Sequence, residues 1–349
     1  MLFNMNTEHR YIFEKNKKHL CPGCNKKRFV RYLDTYTKKH LPNNYGRCDR
    51  ESKCSYFLNP YKDGYCKMIW EKEKGSPTDW KPKSLKRTKN PKPQMTFIPD
   101  EVLNKTLGGY EKNVFIQNLL SRVKFPFDVN DIENVISLYN LGTVQNGYRK
   151  GAITFPFIDI EKNVRAIQVK QFDEENRTTG TDFLHSIMEK YYKRNNKTLP
   201  QWLDVYNENE IKVSCLFGEH LLRRYPHNPI ALVEAPKSAV YGALYFGFPE
   251  QPKNLIWLAV YNLSSLNLNK CKALAGRNVF LFPDLSEDGK AFELWSSKSK
   301  EIQKQLEDSS FQVSDLLEQI APEEDKKLGR DIADYLIQQN WRHFRASRK

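Results

Sequence analysis

The sequence predicts an α/β protein. A parallel-sheet domain occupies the C-terminal third, a helical and hairpin region feeds it, and a small four-cysteine module and a basic linker stand in front. Three observations carry this. From residue 229 onward, short apolar runs alternate with amphipathic stretches, the pattern of strands joined by crossover helices. Four cysteines fall as C-x2-C-x23-C-x5-C between Cys21 and Cys54. The net charge of +14 belongs to the first quarter: residues 1–96 hold 23 Lys/Arg against 9 Asp/Glu, and residues 97–349 hold 33 of each. With 39% hydrophobic residues in 349, the chain belongs to the globular class and can bury more than one core.

Residues 1–70 read as one module, rich in cysteine, aromatic and turn residues. The knuckle "CPGC" makes a tight turn that sets the Cys21 and Cys24 sulfurs on one ion. Cys48 and Cys54 complete a tetrahedral thiolate set suited to structural Zn²⁺. Such a closed site contributes much of the folding free energy of so small a unit. His19, His40 and Cys66 are alternative ligands, and free thiols in a reducing compartment are the plainer reading. Seven unevenly spread cysteines favour metal over disulfides and point to the cytoplasm. The opening segment lacks the apolar stretch of a signal peptide, and no run approaches the roughly 20 apolar residues that span a bilayer, so no membrane is expected. Cys215 and Cys271 lie in apolar stretches and are expected in the core.

Between and beside the cysteines, Arg28, Phe29, Arg31, Tyr32, Lys38 and Lys39 mix cations with rings. Cations follow phosphates and rings stack on bases, so these residues are candidates for holding single-stranded nucleic acid. The alternating "FVRYLDTYT" reads equally as a ribbon strand whose aromatics pack the module. Residues 71–96 carry four prolines and many lysines without apolar periodicity and read as an extended basic linker.

Residues 97–228 form the next region. "EKNVFIQNLLSRV" and "DVNDIENVISLYNL" have helical periodicity. "GAITFPFIDI" and "VRAIQVKQF" flank a short turn and predict a hairpin, with 173–180 a polar loop after it. The stretch 183–210 has no clear period. Residues 229–349 then run strand "PIALVE", helix "KSAVYGALYFG", strand "NLIWLAV", connection 262–276, strand "NVFLF", helix "DGKAFELWSSKSKEIQKQL", strand "SFQVSD" and last helix "LGRDIADYLIQQ".

In open parallel sheets, ligands bind at the C-terminal ends of the strands. That rule selects Glu234 after "IALV", Asp284 after "NVFLF", Asp288 at the following helix start, and Asp331 and Asp334 at the opening of the last helix. Such a set suits Mg²⁺ or Mn²⁺, hard cations that take carboxylate, water and phosphate oxygens. Each residue also has a plain structural role: Asp288 as a helix cap, Asp331 and Asp334 as a solvated first turn, Glu234 as a partner of Lys237.

Taken together, "ALVEAPKSAVYGALYFG" and "NVFLFPDLSEDGKAFELW" resemble a TOPRIM domain, whose pattern is a Glu after the first strand and D-x-D-x-x-G after a later one. "AITFPFIDIEKNVRAIQVKQF" resembles the F-P-x-x-D-x-x-G-x-V hairpin that precedes TOPRIM in primases. "FLHS" with "CLFGEHLL" resembles the segment between them, and "LGRDIADYLI" resembles the G-x-D-x-x-D-x-L tail of phage and plasmid primases. With the cysteine module in front, the order is similar to that of a zinc-ribbon primase of the kind carried by bacterial mobile elements. The resemblance covers about residues 15–60 and 145–340.

It implies a primase-type core with a TOPRIM parallel sheet. It further implies Glu234 as catalytic residue or metal ligand, Asp284 as the principal magnesium ligand, and Lys170 and Lys237 as residues that meet a nucleoside triphosphate. The implied activity is Mg²⁺-dependent nucleotidyl transfer on a single-stranded DNA template. No G-x-x-x-x-G-K-[ST] helicase motif is present, so unwinding implies a separate helicase. The second Asp of D-x-D is Ser286 here, a poorer ligand that Asp288 or Glu287 would have to replace. Two rival readings follow: a decayed, DNA-binding accessory factor, and a metal-dependent TOPRIM nuclease.

Overall fold

The computed structural model describes residues 9–74, except 16, 50–53 and 55, and residues 96–346, except 210 and 211. They belong to two units, Met1–Asn90 and Pro91–Lys349. The basic linker expected at 71–96 lies, from 75 to 95, outside the described residues; 71–74 close the helix Tyr65–Lys74 of the first unit.

The first unit is built on β3 (Lys27–Asp34). β1 (Tyr11–Phe13) and β2 (His19–Leu20) pair with it antiparallel, and so does β4 (Gly46–Cys48), which in turn pairs with β5 (Phe57–Leu58). Side chains of β3 alternate between two small cores, as the pleat requires. Tyr32 packs with Tyr11, Leu41 and Tyr45, while Phe29 packs among the cysteines. Gly46 is needed because a Cβ there would sit 2.2 Å from the Val30 carbonyl oxygen.

The second unit holds two sheets. The first is the antiparallel meander β6 (Gly142–Thr143), β7 (Ile153–Ile158), β8 (Val164–Phe172) and β9 (Thr178–Phe183). The predicted hairpin is present as β7–β8. The polar loop expected at 173–180 instead ends early, and Thr178 begins a third strand that pairs along β8 as far as Phe183 opposite Gln168. Polar Thr178, Thr179 and Thr181 suit this exposed outer strand, where no apolar alternation is needed. The unperiodic stretch 183–210 forms the helices Leu184–Arg194 and Gln201–Asn207.

The second sheet is parallel: β10 (Ile230–Val233), β11 (Ile256–Ala259), β12 (Asn278–Phe282) and β13 (Ser310–Val313), in the order β11–β10–β12–β13. β10 and β11 are wholly buried, which explains their unbroken apolar runs. Helix Pro236–Phe246 crosses from β10 to β11, and its Gly242 allows the approach: a Cβ there would fall 2.1 Å from the Trp257 ring. The last helix predicted over 328–339 is shorter, Ile332–Leu336, and a separate helix precedes it. Glu323–Leu328 ends at Gly329, which is left-handed (φ 65°), and Ile332–Leu336 begins afresh behind Asp331. A further helix, Trp341–Ala346, follows. Cys215 and Cys271 are buried in the core of this unit, as expected. No helix among the described residues is long and apolar enough to cross a membrane.

Candidate active site

The parallel sheet reverses its winding between β10 and β12, since β11 lies on one side of β10 and β12 on the other. Crevices open at such switch points beyond the strand C-termini. Val233 pairs with Phe282 in register, so Glu234 and Asp284 leave adjacent strand ends, Glu234 level with Pro283 and Asp284 one residue farther along. Both are half-buried.

Three other elements bring charge to this place. Lys237 lies in the first turn of helix Pro236–Phe246. The Leu285 amide donates to the Arg330 carbonyl (2.9 Å), which draws the segment ahead of Asp331 against the end of β12. Asp331 and Asp334 form a reciprocal capping box, each accepting the other's backbone N–H at 3.1 Å. Lys170, on β8, is reached from the meander sheet.

The charges act on one another. Lys237 Nζ donates to Asp331 Oδ2 and to Asp334 Oδ1, both at 3.0 Å. Burial works against the Asp331 carboxylate, but Lys237 and the capping bonds outweigh it and hold its pKa below the usual range. Burial likewise opposes the Lys237 ammonium, and the two aspartates overcome it and raise its pKa. Asp284 goes the other way: burial, then Glu234 and Asp331, push it well above the usual carboxylate range. Lys170 is lowered by burial and by Lys237, with Asp331, Glu234 and Asp284 pulling against that. Among the described residues Lys170 makes no ion pair within 4.0 Å.

Glu234, Lys237, Asp284, Asp331, Asp334 and Lys170 are thus brought within electrostatic reach of one another. Asp288 is not. It is exposed and ion-paired with Lys290 two residues on, so it stands out in solvent rather than in the crevice. Ser286 is buried, and its hydroxyl accepts the Ala291 N–H (2.9 Å), capping helix Lys290–Gln303; the side chain at the second D-x-D position is spent on the fold. The expected Glu234–Lys237 pairing is replaced by Lys237 with Asp331 and Asp334. Those two acids share a cation of the protein itself, which weakens their candidacy as magnesium ligands. Among the described residues, no three carboxylates here bring ligand oxygens within 4.8 Å of one another.

Sequence reasoning missed Tyr261. It follows β11 with φ 85°, a left-handed conformation costly for a bulky residue. Its N–H donates to the Glu234 carbonyl oxygen (2.8 Å), and the Lys270 ammonium lies 4.5 Å from its ring centroid. No periodicity marks it; only its place two residues beyond the end of β11 does.

In the first unit the four thiol sulfurs of Cys21, Cys24, Cys48 and Cys54 lie within 4.8 Å of one another, with Cys21–Cys54 at 3.6 Å and Cys24–Cys48 at 3.9 Å. A tetrahedral Zn–S₄ centre with bonds of about 2.3 Å requires sulfurs about 3.8 Å apart, so the set fits Zn²⁺. In the same unit, Arg28, Lys38 and Lys39 are exposed, and so is Tyr36 in the turn that leads into the last two. Arg31 is half-buried and donates to the Leu41 carbonyl (2.6 Å). Tyr32 does not join them: it is buried and stacked on Phe13 (centroids 4.3 Å apart), so packing claims its ring and no base can reach it.

Comparison with known proteins gives two family matches. Residues 9–68 match the model of the zinc beta-ribbon finger family, and residues 113–285 match a domain of unknown function, DUF6371. No curated protein matches the chain. Among solved structures, the chain is similar to the DnaG primase catalytic domain bound to ssDNA (13% identity, 71% of this chain and 75% of that one, TM-score 0.40). It is also similar to the primase fragment of the bacteriophage T7 primase-helicase protein (13%, 91% and 94%, TM-score 0.33). A third is the Aquifex aeolicus primase, zinc-binding and RNA polymerase domains (12%, 96% and 79%, TM-score 0.35).

Proposed function

We propose that this chain is a primase-like nucleotidyltransferase acting on single-stranded DNA, with its second unit a primase-type core carrying a TOPRIM domain. One observation carries the reading: two carboxylates and two lysines from separate strand ends and from the meander sheet converge at the switch point of a parallel sheet. Glu234 and Asp284 supply the oxygen donors for Mg²⁺ or Mn²⁺. Burial first, and then repulsion from Glu234 and Asp331, raise Asp284, and a divalent cation would favour its charged form against both. The bound cation supplies Lewis-acid polarisation of a phosphoryl oxygen. Lys170, which makes no ion pair within 4.0 Å among the described residues, meets the triphosphate. Lys237 holds the helix Ile332–Leu336 against the crevice and keeps its positive charge there. The zinc module and its exposed Arg28, Lys38 and Lys39 hold the template, and unwinding is left to a separate helicase.

A specific observation favours a second reading, the catalytically decayed DNA-binding factor. Ser286 caps a helix, and Lys237 occupies Asp331 and Asp334.

Incubating the full chain with labelled nucleoside triphosphates, single-stranded template and Mg²⁺ separates these readings. New oligonucleotides support the transferase. Shortened template supports a nuclease on the same site. Neither product supports the decayed factor. Glu234→Ala is expected to lower synthesis at least 100-fold while leaving single-strand affinity within about twofold; unchanged synthesis removes Glu234 from the mechanism.

A further inference from the structure

The first unit contains a second convergence of metal-type donors, separate from the cysteines. Glu14, His19 and His40 come from three segments that lie against β3. Glu14 follows β1 opposite Arg31, its N–H donating to the Arg31 carbonyl (2.9 Å). His19 is in β2 opposite Phe29. His40 forms an isolated bridge with Leu33. Residues 29, 31 and 33 are alternate positions of one strand, so their cross-strand neighbours share one face of the sheet.

The donors meet at a point. His19 Nε2 and His40 Nε2 lie 2.6 and 3.0 Å from the same oxygen, Glu14 Oε2, and all three ligand atoms lie within 4.8 Å of one another. The rings are 5.5 Å apart, nearly edge to face, so neither blocks the other's nitrogen. All three side chains are only partly exposed. A tetrahedral ion with bonds of about 2.0–2.1 Å to nitrogen and oxygen needs donors about 3.3 Å apart. The group therefore has to open by about 0.3–0.7 Å, a change within rotamer adjustment of two imidazoles and a glutamate. The cysteine sulfurs are absent from this set. Of the three, His19 also lines an open cleft of about 920 Å³ beside the group.

We propose that Glu14, His19 and His40 form a second site for a divalent transition-metal ion, with two imidazoles and one carboxylate as ligands and the fourth position open to water. Three protein ligands and an open position distinguish it from the closed four-thiolate centre. Imidazole and carboxylate select Zn²⁺ or Co²⁺ over Mg²⁺.

Co²⁺ titration of the metal-free full chain tests this, in a Glu234→Gln/Asp284→Asn background so that the sheet-end carboxylates add no third site. Two equivalents are expected per chain. One brings the intense near-ultraviolet charge-transfer bands of thiolate ligation, and the other adds visible absorption without them. His19→Ala/His40→Ala is expected to bind one equivalent with the charge-transfer bands intact, which also reports that the module has folded. Glu14→Gln, which keeps a hydrogen-bonding side chain between the rings, is expected to weaken the second equivalent at least tenfold. A single equivalent in the parent chain, or an unchanged second equivalent in Glu14→Gln, overturns the proposal.

Discussion

Replacing Lys237 by methionine probes how the sheet-end charges are held. The ammonium sits 3.0 Å from each of two carboxylates, and the Lys237 and Asp331 side chains are 12% and 11% exposed. Methionine keeps most of the stem's packing and removes the charge. It leaves Asp331 as a buried, uncompensated anion beside Asp284 and Glu234, which costs about 3–5 kcal/mol of stability. Asp331→Asn retains the oxygen that caps helix Ile332–Leu336, so it removes charge and little else. The double variant Lys237→Met/Asp331→Asn is therefore expected to lose about 2 kcal/mol less than the two single losses combined.

Urea unfolding of the full chain, followed by the fluorescence of buried Trp257, Trp295 and Trp341, measures these differences. The sign with pH is fixed. Asp331 has a depressed pKa in the fold, so its contribution is complete above the ordinary aspartate value of 3.8 and is lost as pH falls through the folded value below it. Lys237 has a raised pKa, so its contribution is complete below 10.5 and is lost only as pH rises through the folded value above that. A Lys237→Met loss under about 1 kcal/mol, or strict additivity in the cycle, would refute the claim that this ion pair anchors the crevice.

Three other perturbations follow from the packing. Gly242→Ala drives a methyl group into the Trp257 ring and is expected to cost about 1–3 kcal/mol in the same unfolding assay. Lys162→Gly is expected to stabilise by about 0.5–1 kcal/mol, because Lys162 adopts φ 67° where the primase hairpin pattern has glycine; thermal unfolding reads the shift. Removing zinc with a strong chelator is expected to abolish the near-ultraviolet circular dichroism of the Tyr11, Tyr32 and Tyr45 core while leaving the second unit's tryptophan signal in place.

Local patterns made much of this molecule legible. β10 and β12 are short apolar runs bounded by turn residues; the helix after β10 is apolar almost all round and the one after β12 has a single apolar stripe, so their order could be read directly. Glu234 and Asp284 were placed by the strand-end rule alone. The third meander strand was not legible, because an exposed outer strand of threonines carries no burial signal. Tyr32 was misplaced for a related reason: alternation says that a side chain faces one side of a strand, but not which side holds the core.

By itself, then, the sequence determined what is local: the thiolate spacing around the CPGC knuckle, the βα alternation, and the carboxylates at its junctions. Only the tertiary structure decided which charges meet. Lys237 pairs with residues 94 and 97 positions away rather than with nearby Glu234, Asp288 turns outward to Lys290, and Glu14 joins two histidines from other segments. The physical reason is that periodicity reports burial, which each element carries in its own residues. The partner of a charge is set by how distant segments pack, and here a single backbone bond from Leu285 to Arg330 helps fix it.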